Sequence, residues 1–292
     1  MQIVTDGGAD LSPVQRKGIE IHSVPLVLTL DGKNYRSGID IEPAEFYQLL
    51  SATSSFPTTS QPSPAEFADL YRQLAINDPQ ILSIHISSGL SGTMNSARLG
   101  ATMVPEAQVT FVDTKTLSGA EGWQVEAAAR ALKLGWPLDR ILAALARISD
   151  ATDTVYTLAT LRYLVHGGRI SHIRGIIGQL LEIKPAIGVG KEDGKYYQRG
   201  SARTLNKAIR LLPDLIARQH APGTPLRGQI AHGDNTDGAN LLREAMEAQF
   251  PMQWLATVAV APVLGAHTGP GLIGLAYGAA AAYAGLEDVL PV

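Results

Sequence analysis

The chain has 292 residues, 45% of them hydrophobic and 17% charged, with a formal net charge of −3. That length and composition suit one large or two ordinary globular domains, and the slight negative charge gives no footprint for nucleic acid. There is no cysteine, which excludes thiol catalysis, disulfides and cysteine-based zinc sites.

Gln2 to Thr5 reads as a strand running into Asp6, with no basic, apolar leader before it, so a cytoplasmic protein is expected. Ser12-Pro13 is an N-cap and first-position pair for a short helix. Val24 to Leu30 and Lys33 to Tyr35 flank Asp31-Gly32, a hairpin signal. Pro43 opens a helix with Phe46, Leu49 and Leu50 on one face. A Ser/Thr-rich loop, 51–63, follows, and Ser63-Pro64-Ala65-Glu66 is a capping box opening another helix.

Ile81 to Ile86, with apolar residues at 82, 84 and 86, suits a strand with one buried face. It leads into Ser87-Ser88-Gly89-Leu90-Ser91-Gly92-Thr93, and Met94 to Met103 reads as helix. A small-residue turn between strand and helix offers backbone N–H groups and hydroxyls to an anion, and equally suits a plain capped helix start. Val109 to Val112 is a further strand ending at Asp113-Thr114, and helices are expected over 121–134 and 138–148. Alternating strands and helices imply a mainly parallel sheet, with ligand loops at the carboxyl ends of its strands. Asp6, Ser87 to Thr93 and Asp113-Thr114 lie on such loops, and the loop Thr58-Thr59-Ser60-Gln61 joins them from the side.

The second half begins near Asp150. It reads as a strand over 154–158, a short helix over 161–165, a turn over 166–171 and an apolar helix over 173–181. A hairpin follows around Asp193-Gly194, then a helix over 204–218 broken or kinked at Pro213, a strand over 228–231 and a helix over 238–249. From Ala248 to Leu286 there is no charged residue, but Pro251, Pro262 and Pro270 interrupt the run, which is therefore expected to form two buried strands around a loop bearing His267 rather than a membrane span.

No Walker pattern occurs, and Gly89-Leu90-Ser91-Gly92 places its second glycine too early for a nucleophile elbow. The Gly269-Pro270-Gly271-Leu272-Ile273-Gly274 spacing lacks a βαβ setting. The histidines have no metal-ligand spacing, so neither metal nor cofactor is expected. What remains is a set of neutral donors, Thr59, Ser91 and His267, of the kind that suits a carboxylate or phosphate oxygen. A Ser91–His267–aspartate hydrolase stays open as an alternative.

Six stretches together resemble the DegV family, the fatty-acid-binding subunits of bacterial fatty acid kinase. They are 58–63, 87–93, Gly167-Gly168-Arg169-Ile170-Ser171, Ile183-Lys184-Pro185, Ala202-Arg203-Thr204 and His267-Thr268-Gly269-Pro270-Gly271, and they occur in the family's order. The chain departs from the family's usual residues at Gly7, Ser37 and His166. The resemblance implies an α/β fold of two domains: a three-layer α/β/α domain with a mainly parallel sheet (1–150) and a two-layer α/β domain with a mixed sheet (151–292). It implies a long-chain fatty acid buried between them, its carboxylate held at Thr59, Ser91 and His267, with Ser60, Gly92, Thr93 and Gly269 in supporting loops. It also implies a separate ATP-binding kinase subunit, served by Arg203, that converts the carboxylate to an acyl phosphate for phospholipid synthesis. The chain would then be a non-catalytic subunit without stable membrane insertion. The competing reading is a stand-alone enzyme, either the hydrolase or a relative of dihydroxyacetone kinase. Apolar segments 173–181 and 258–264 are candidate tunnel walls.

Overall fold

The structure is a computed structural model that describes residues 1–172 and 183–292; the helix expected over 173–181 lies outside the described residues. The chain opens with β1 (Gln2–Asp6) and α1 (Pro13–Arg16), whose start is fixed by a reciprocal capping box between Ser12 and Gln15. β2 (His22–Val24) is followed by the hairpin β3 (Val27–Leu30) and β4 (Lys33–Arg36). Asp31 and Gly32 both have positive φ, as a two-residue hairpin turn requires. Next come α2 (Pro43–Ala52), β5 (Thr58–Ser60), α3 (Pro64–Ala75) behind the Ser63–Glu66 capping box, β6 (Gln80–His85), α4 (Thr93–Thr102) and β7 (Gln108–Asp113).

Strands β2-β1-β6-β7 form the expected parallel sheet. Two details differ from the sequence reading. Thr58–Ser60 is not loop but an edge strand, antiparallel to β3, so that β4-β3-β5 make a small sheet of their own. β6 is buried on both faces from Ile81 to His85. Its polar Ser83 and His85 mimicked a wet face, but they form a buried chain with Tyr71 and Asp6.

Helix α5 (Ser118–Lys133) is buried almost all round, and α6 (Leu138–Ala151) packs beside it. One side of α5 meets Ile3, Leu82 and Ile84 of the parallel sheet, while Ala276 and Leu255 of the second half join the same cluster. Gly122 makes this closeness possible, because a Cβ there would stand 2.7 Å from the carbonyl of Asp10.

The second half runs β8 (Asp153–Thr157), α7 (Arg162–His166), β9 (Lys184–Val189), β10 (Tyr196–Ala202), α8 (Leu205–Ile216), β11 (Leu226–His232), α9 (Thr236–Glu247), β12 (Met252–Trp254), β13 (Val258–Ala259), α10 (Pro262–Thr268) and β14 (Ile273–Ala279). The mixed sheet has the order β10-β9-β8-β14-β11-β12, with β13 also alongside β11. Helices α8 and α9 cover its outer face through Ile209, Leu212, Leu242 and Met246. Its inner face, with Tyr156, Ile187 and Leu272, meets Ile86, Leu90 and Leu117 from the first half. α8 continues through Pro213 to Ile216, so the proline does not end the helix.

The uncharged tail is a further correction. The apolar stretch expected to be strand on the near side of His267 is largely α10, with Pro262 at its first turn. A short apolar run does not announce its period, and the proline was the usable signal. Among the described residues no helix is long and apolar enough to cross a membrane.

Candidate functional site

Strand β5 and helix α10 bring together two residues 208 positions apart: Thr59 Oγ1 lies 2.7 Å from His267 Nε2. His267 is in the last turn of α10, before Gly269, whose φ of +70° turns the chain toward β14. Tyr163 of α7 packs against Gly269 so closely that a side chain there would overlap its ring. Burial, helped by the nearby Arg169 guanidinium, pushes the His267 imidazole down to about 4, so the ring is neutral at neutral pH. Among the described residues its Nδ1 is buried without a hydrogen-bond partner, and it faces Gly167, the residue that ends α7. Arg169 donates to the Gly167 carbonyl at 2.7 Å.

The Ser87–Thr93 turn uses its hydroxyls in two ways. Ser87 Oγ donates to the Gly194 carbonyl (2.8 Å), and Ser88 Oγ donates to Asp113 (2.5 Å), so both are spent on holding the turn. Ser91 Oγ accepts from the Thr93 amide at 3.2 Å and lies 2.8 Å from Thr93 Oγ1. Gly92 is covered by the Gln61 amide, which donates to Ser96 at 3.1 Å. Gln61 follows β5 directly, so the Thr59 strand and the Ser91 turn meet through it. Ser60 is exposed beside Thr59, and Arg203 is exposed ahead of α8, where it makes no hydrogen bond or ion pair among the described residues.

Ser91 and His267 do not form a hydrolase relay in this arrangement. Ser91 pairs with Thr93, His267 pairs with Thr59, and the Nδ1 that a triad carboxylate would hold has no partner among the described residues. Asp6, placed by the sequence on a ligand loop, is instead buried. It accepts from His85 (2.9 Å), Ile86 N (3.0 Å) and Gly8 N (2.8 Å), anchoring the end of β6 from which the Ser87 turn departs.

Against α10, the helix that carries His267, lies a narrow apolar slot of ≈ 40 Å³. Leu264 and Thr268 of α10 stand at one end; Leu272, Gly274 and Ala276 of β14, Tyr156 of β8 and Ala231 and Gln229 of β11 continue it. Val260 and Leu264, from the expected tunnel segment 258–264, are among its walls. A larger open groove of ≈ 870 Å³ lies between the 6–17, 37–43 and 257–262 segments; Asp6 and Val258, Ala259, Ala261 and Pro262 of the expected tunnel segment line it, but Thr59, Ser91 and His267 do not.

Several parts of the site were not foreseen. Gly167 was quoted only as part of a motif, yet it makes the room for His267. Phe56 stacks on His166 (4.8 Å between ring centres) and meets Tyr163 edge-on (5.3 Å), walling the region beside Gly269. Tyr163 and His166 stand just before Gly167-Gly168, but nothing there announces Phe56, more than 100 residues earlier in the chain.

Comparison with known proteins gives a consistent picture. The family model DegV, described as "Uncharacterised protein, DegV family", matches residues 1–280. A DegV domain-containing protein of Deinococcus radiodurans is 33% identical over 274 residues, covering 94% of each chain. Among solved structures, a DegV family protein from Thermus thermophilus described for its fatty acid binding superposes with a TM-score of 0.84 at 34% identity, over 95% of this chain and 99% of that one. A DegV lipid-binding protein from Thermotoga maritima gives 0.84 at 28% identity, over 96% and 98%.

Proposed function

The chain belongs to the DegV family, and from that premise we propose that it binds a long-chain fatty acid and presents the carboxylate to a separate ATP-dependent kinase subunit. The observation that carries this reading is the neutral Thr59–His267 pair, whose histidine sits on α10, the helix whose Leu264 and Thr268 line an apolar slot. A methylene leaving water gains about 0.8 kcal/mol, so a long acyl chain supplies on the order of 10 kcal/mol before ordering costs. Its carboxylate must be hydrogen-bonded once buried. With the imidazole proton on Nε2, His267 donates to Thr59 Oγ1 and leaves the Thr59 hydroxyl proton for the carboxylate. Ser91 and Thr93 supply further hydroxyls, and Arg169 a nearby positive charge. Residues 1–150 would carry the carboxylate loops and residues 151–292 would cover the chain.

Neutral donors hold a carboxylate without consuming it in a tight salt bridge, so one oxygen remains nucleophilic. In the partner's active site that oxygen forms a bond to the γ-phosphorus of ATP, the bond to the leaving ADP breaks, and an acyl phosphate for phospholipid synthesis results. Arg203, exposed and unpaired among the described residues, is suited to meet the developing phosphoryl charge. This role belongs to a cytoplasmic protein that does not hydrolyse ATP itself.

Mass spectrometry of the organic extract from denatured protein should find a fatty acid. Protein that yields none, and takes up none when it is added, would sink the reading. With the kinase subunit and ATP, Arg203→Ala should keep its lipid and its melting temperature but give little acyl phosphate; normal phosphorylation would remove Arg203 from the mechanism.

A further inference from the structure

The inner face of the mixed sheet fixes where the apolar slot stops. Tyr156, Gly274 and Ala231 are paired across β8, β14 and β11, and Thr154, Ala276 and Gln229 form the corresponding row two residues farther from α10. Two residues along a strand is roughly 6.6 Å. The row after that contains Arg227, buried, with its guanidinium 4.9 Å from the centre of the Trp123 ring and donating to the Leu290 carbonyl at 2.9 Å. The face is therefore open and apolar near His267 and filled with fixed polar groups beyond Gln229.

Gln229 is unlike the other walls of the slot. Its Oε1 accepts from Trp123 Nε1 at 2.7 Å, and its Nε2 donates to Gln15 Oε1 at 2.8 Å and to the Ala256 carbonyl at 3.1 Å. Those partners come from three separate segments of the chain. An apolar wall residue yields to a longer ligand by changing rotamer. Gln229 cannot, because every buried hydrogen bond it released would go unmet. Gly119 closes the opposite side of the same point: a Cβ there would stand 2.9 Å from Gln229 Oε1.

We propose that Gln229 is the terminal wall of the acyl slot and sets the upper limit on the chain length this protein accepts. The proposal rests on the fatty acid reading given above and adds the residue that determines specificity within it. Acyl chains that reach Gln229 gain affinity with each methylene, by about 4-fold per carbon. Chains one or two carbons longer find no space and are rejected. Ala276, in the same row and without polar partners, offers a way to move the limit without disturbing the hydrogen bonds of Gln229.

The test presents delipidated protein with an equimolar series of saturated fatty acids of increasing length and reads the bound distribution by mass spectrometry. Wild type should show a sharp upper cut-off. Ala276→Leu should move the cut-off to shorter chains, by about two carbons, while still binding the shorter members. Gln229→Ala should extend it or blur it, and if that variant fails to fold, Ala276→Leu alone decides. A wild-type protein that binds fatty acids without a cut-off, or an Ala276→Leu distribution identical to wild type, overturns the proposal and leaves fatty acid binding intact. Failure of wild type to bind any member overturns the underlying reading as well.

Discussion

Gly167→Ala is a single-methyl test of the head site. The glycine has φ −72° and ψ −5°, an ordinary helical conformation that alanine adopts freely, so the backbone has no reason to object. The obstacle is His267. A Cβ on residue 167 would stand 2.8 Å from the ring's Cε1 and overlap Nδ1, while the Tyr163 carbonyl at 3.1 Å closes another side. The ring must therefore move, and the 2.7 Å contact with Thr59 tolerates only about 0.5 Å before leaving hydrogen-bonding range. Losing that bond costs about 0.5–1.5 kcal/mol, which corresponds to a roughly 2- to 13-fold weaker fatty acid affinity. Fluorescence displacement of a bound fatty acid probe would read the affinity, and circular dichroism would check that the fold persists. An unchanged affinity in folded Gly167→Ala would refute the reasoning that the Thr59–His267 pair holds the carboxylate.

Ser91→Ala should weaken fatty acid binding roughly 5- to 100-fold by leaving a buried carboxylate short of a donor, with a smaller loss of stability from the start of α4; binding titrations at wild-type strength would exclude Ser91 from the site. In ligand-free protein the His267 ring should titrate near 4 by NMR, well below its ordinary 6.5. The folded value is the depressed one, so this contribution to stability is complete above about 6.5 and is lost as the pH falls toward 4, by about 3 kcal/mol in all. A midpoint near 6.5 would contradict the burial argument. Glu121 is fully buried, with both carboxyl oxygens unpartnered among the described residues, and burial followed by the neighbouring Asp6, Asp10 and Asp113 charges pushes it well above its ordinary value. Its folded-state value is raised, so stability is complete below about 4.5 and falls as the pH rises. Glu121→Gln should therefore melt at or above the wild-type temperature at neutral pH, and a drop of several degrees would show that the acid makes a bond the amide cannot.

Local rules carried most of the architecture. Ser63-Pro64-Ala65-Glu66, Asp31-Gly32 and Ser12-Pro13 each fixed a boundary because their chemistry is satisfied within a few residues. The parallel character of the first sheet followed from strand–helix alternation, and the structure has it. What stayed hidden depends on partners distant in sequence. Thr58–Ser60 becomes a strand only because β3 is available beside it, and Thr-Thr-Ser alone looks like any polar loop. Residues 262–268 become a helix seated against α2, β3 and α7, a choice their mixed small and apolar side chains do not announce. Of the proposed head-group residues, Thr59 and His267 were named from the sequence, but their 2.7 Å contact across 208 residues was not readable there. Nor was the hydrogen bonding that locks Gln229, whose three partners come from three other segments.

The placement of α5 limits how this protein can be taken apart. Trp123, Val125 and Ala128 have no exposed surface, and the cluster they belong to draws on both sheets. A fragment ending near residue 150 would present the wall meant for β14 and β11 to water, including the Trp123 indole and the face of Gly119. Such a surface favours self-association over a free-standing module. Gene fusions, truncations or swaps between relatives that cut at the midpoint of the chain therefore cut through a shared interior. Exchange of the whole chain respects the way the molecule is built, whereas even the β9–β10 hairpin tip is tied to the first half by the Ser87–Gly194 hydrogen bond.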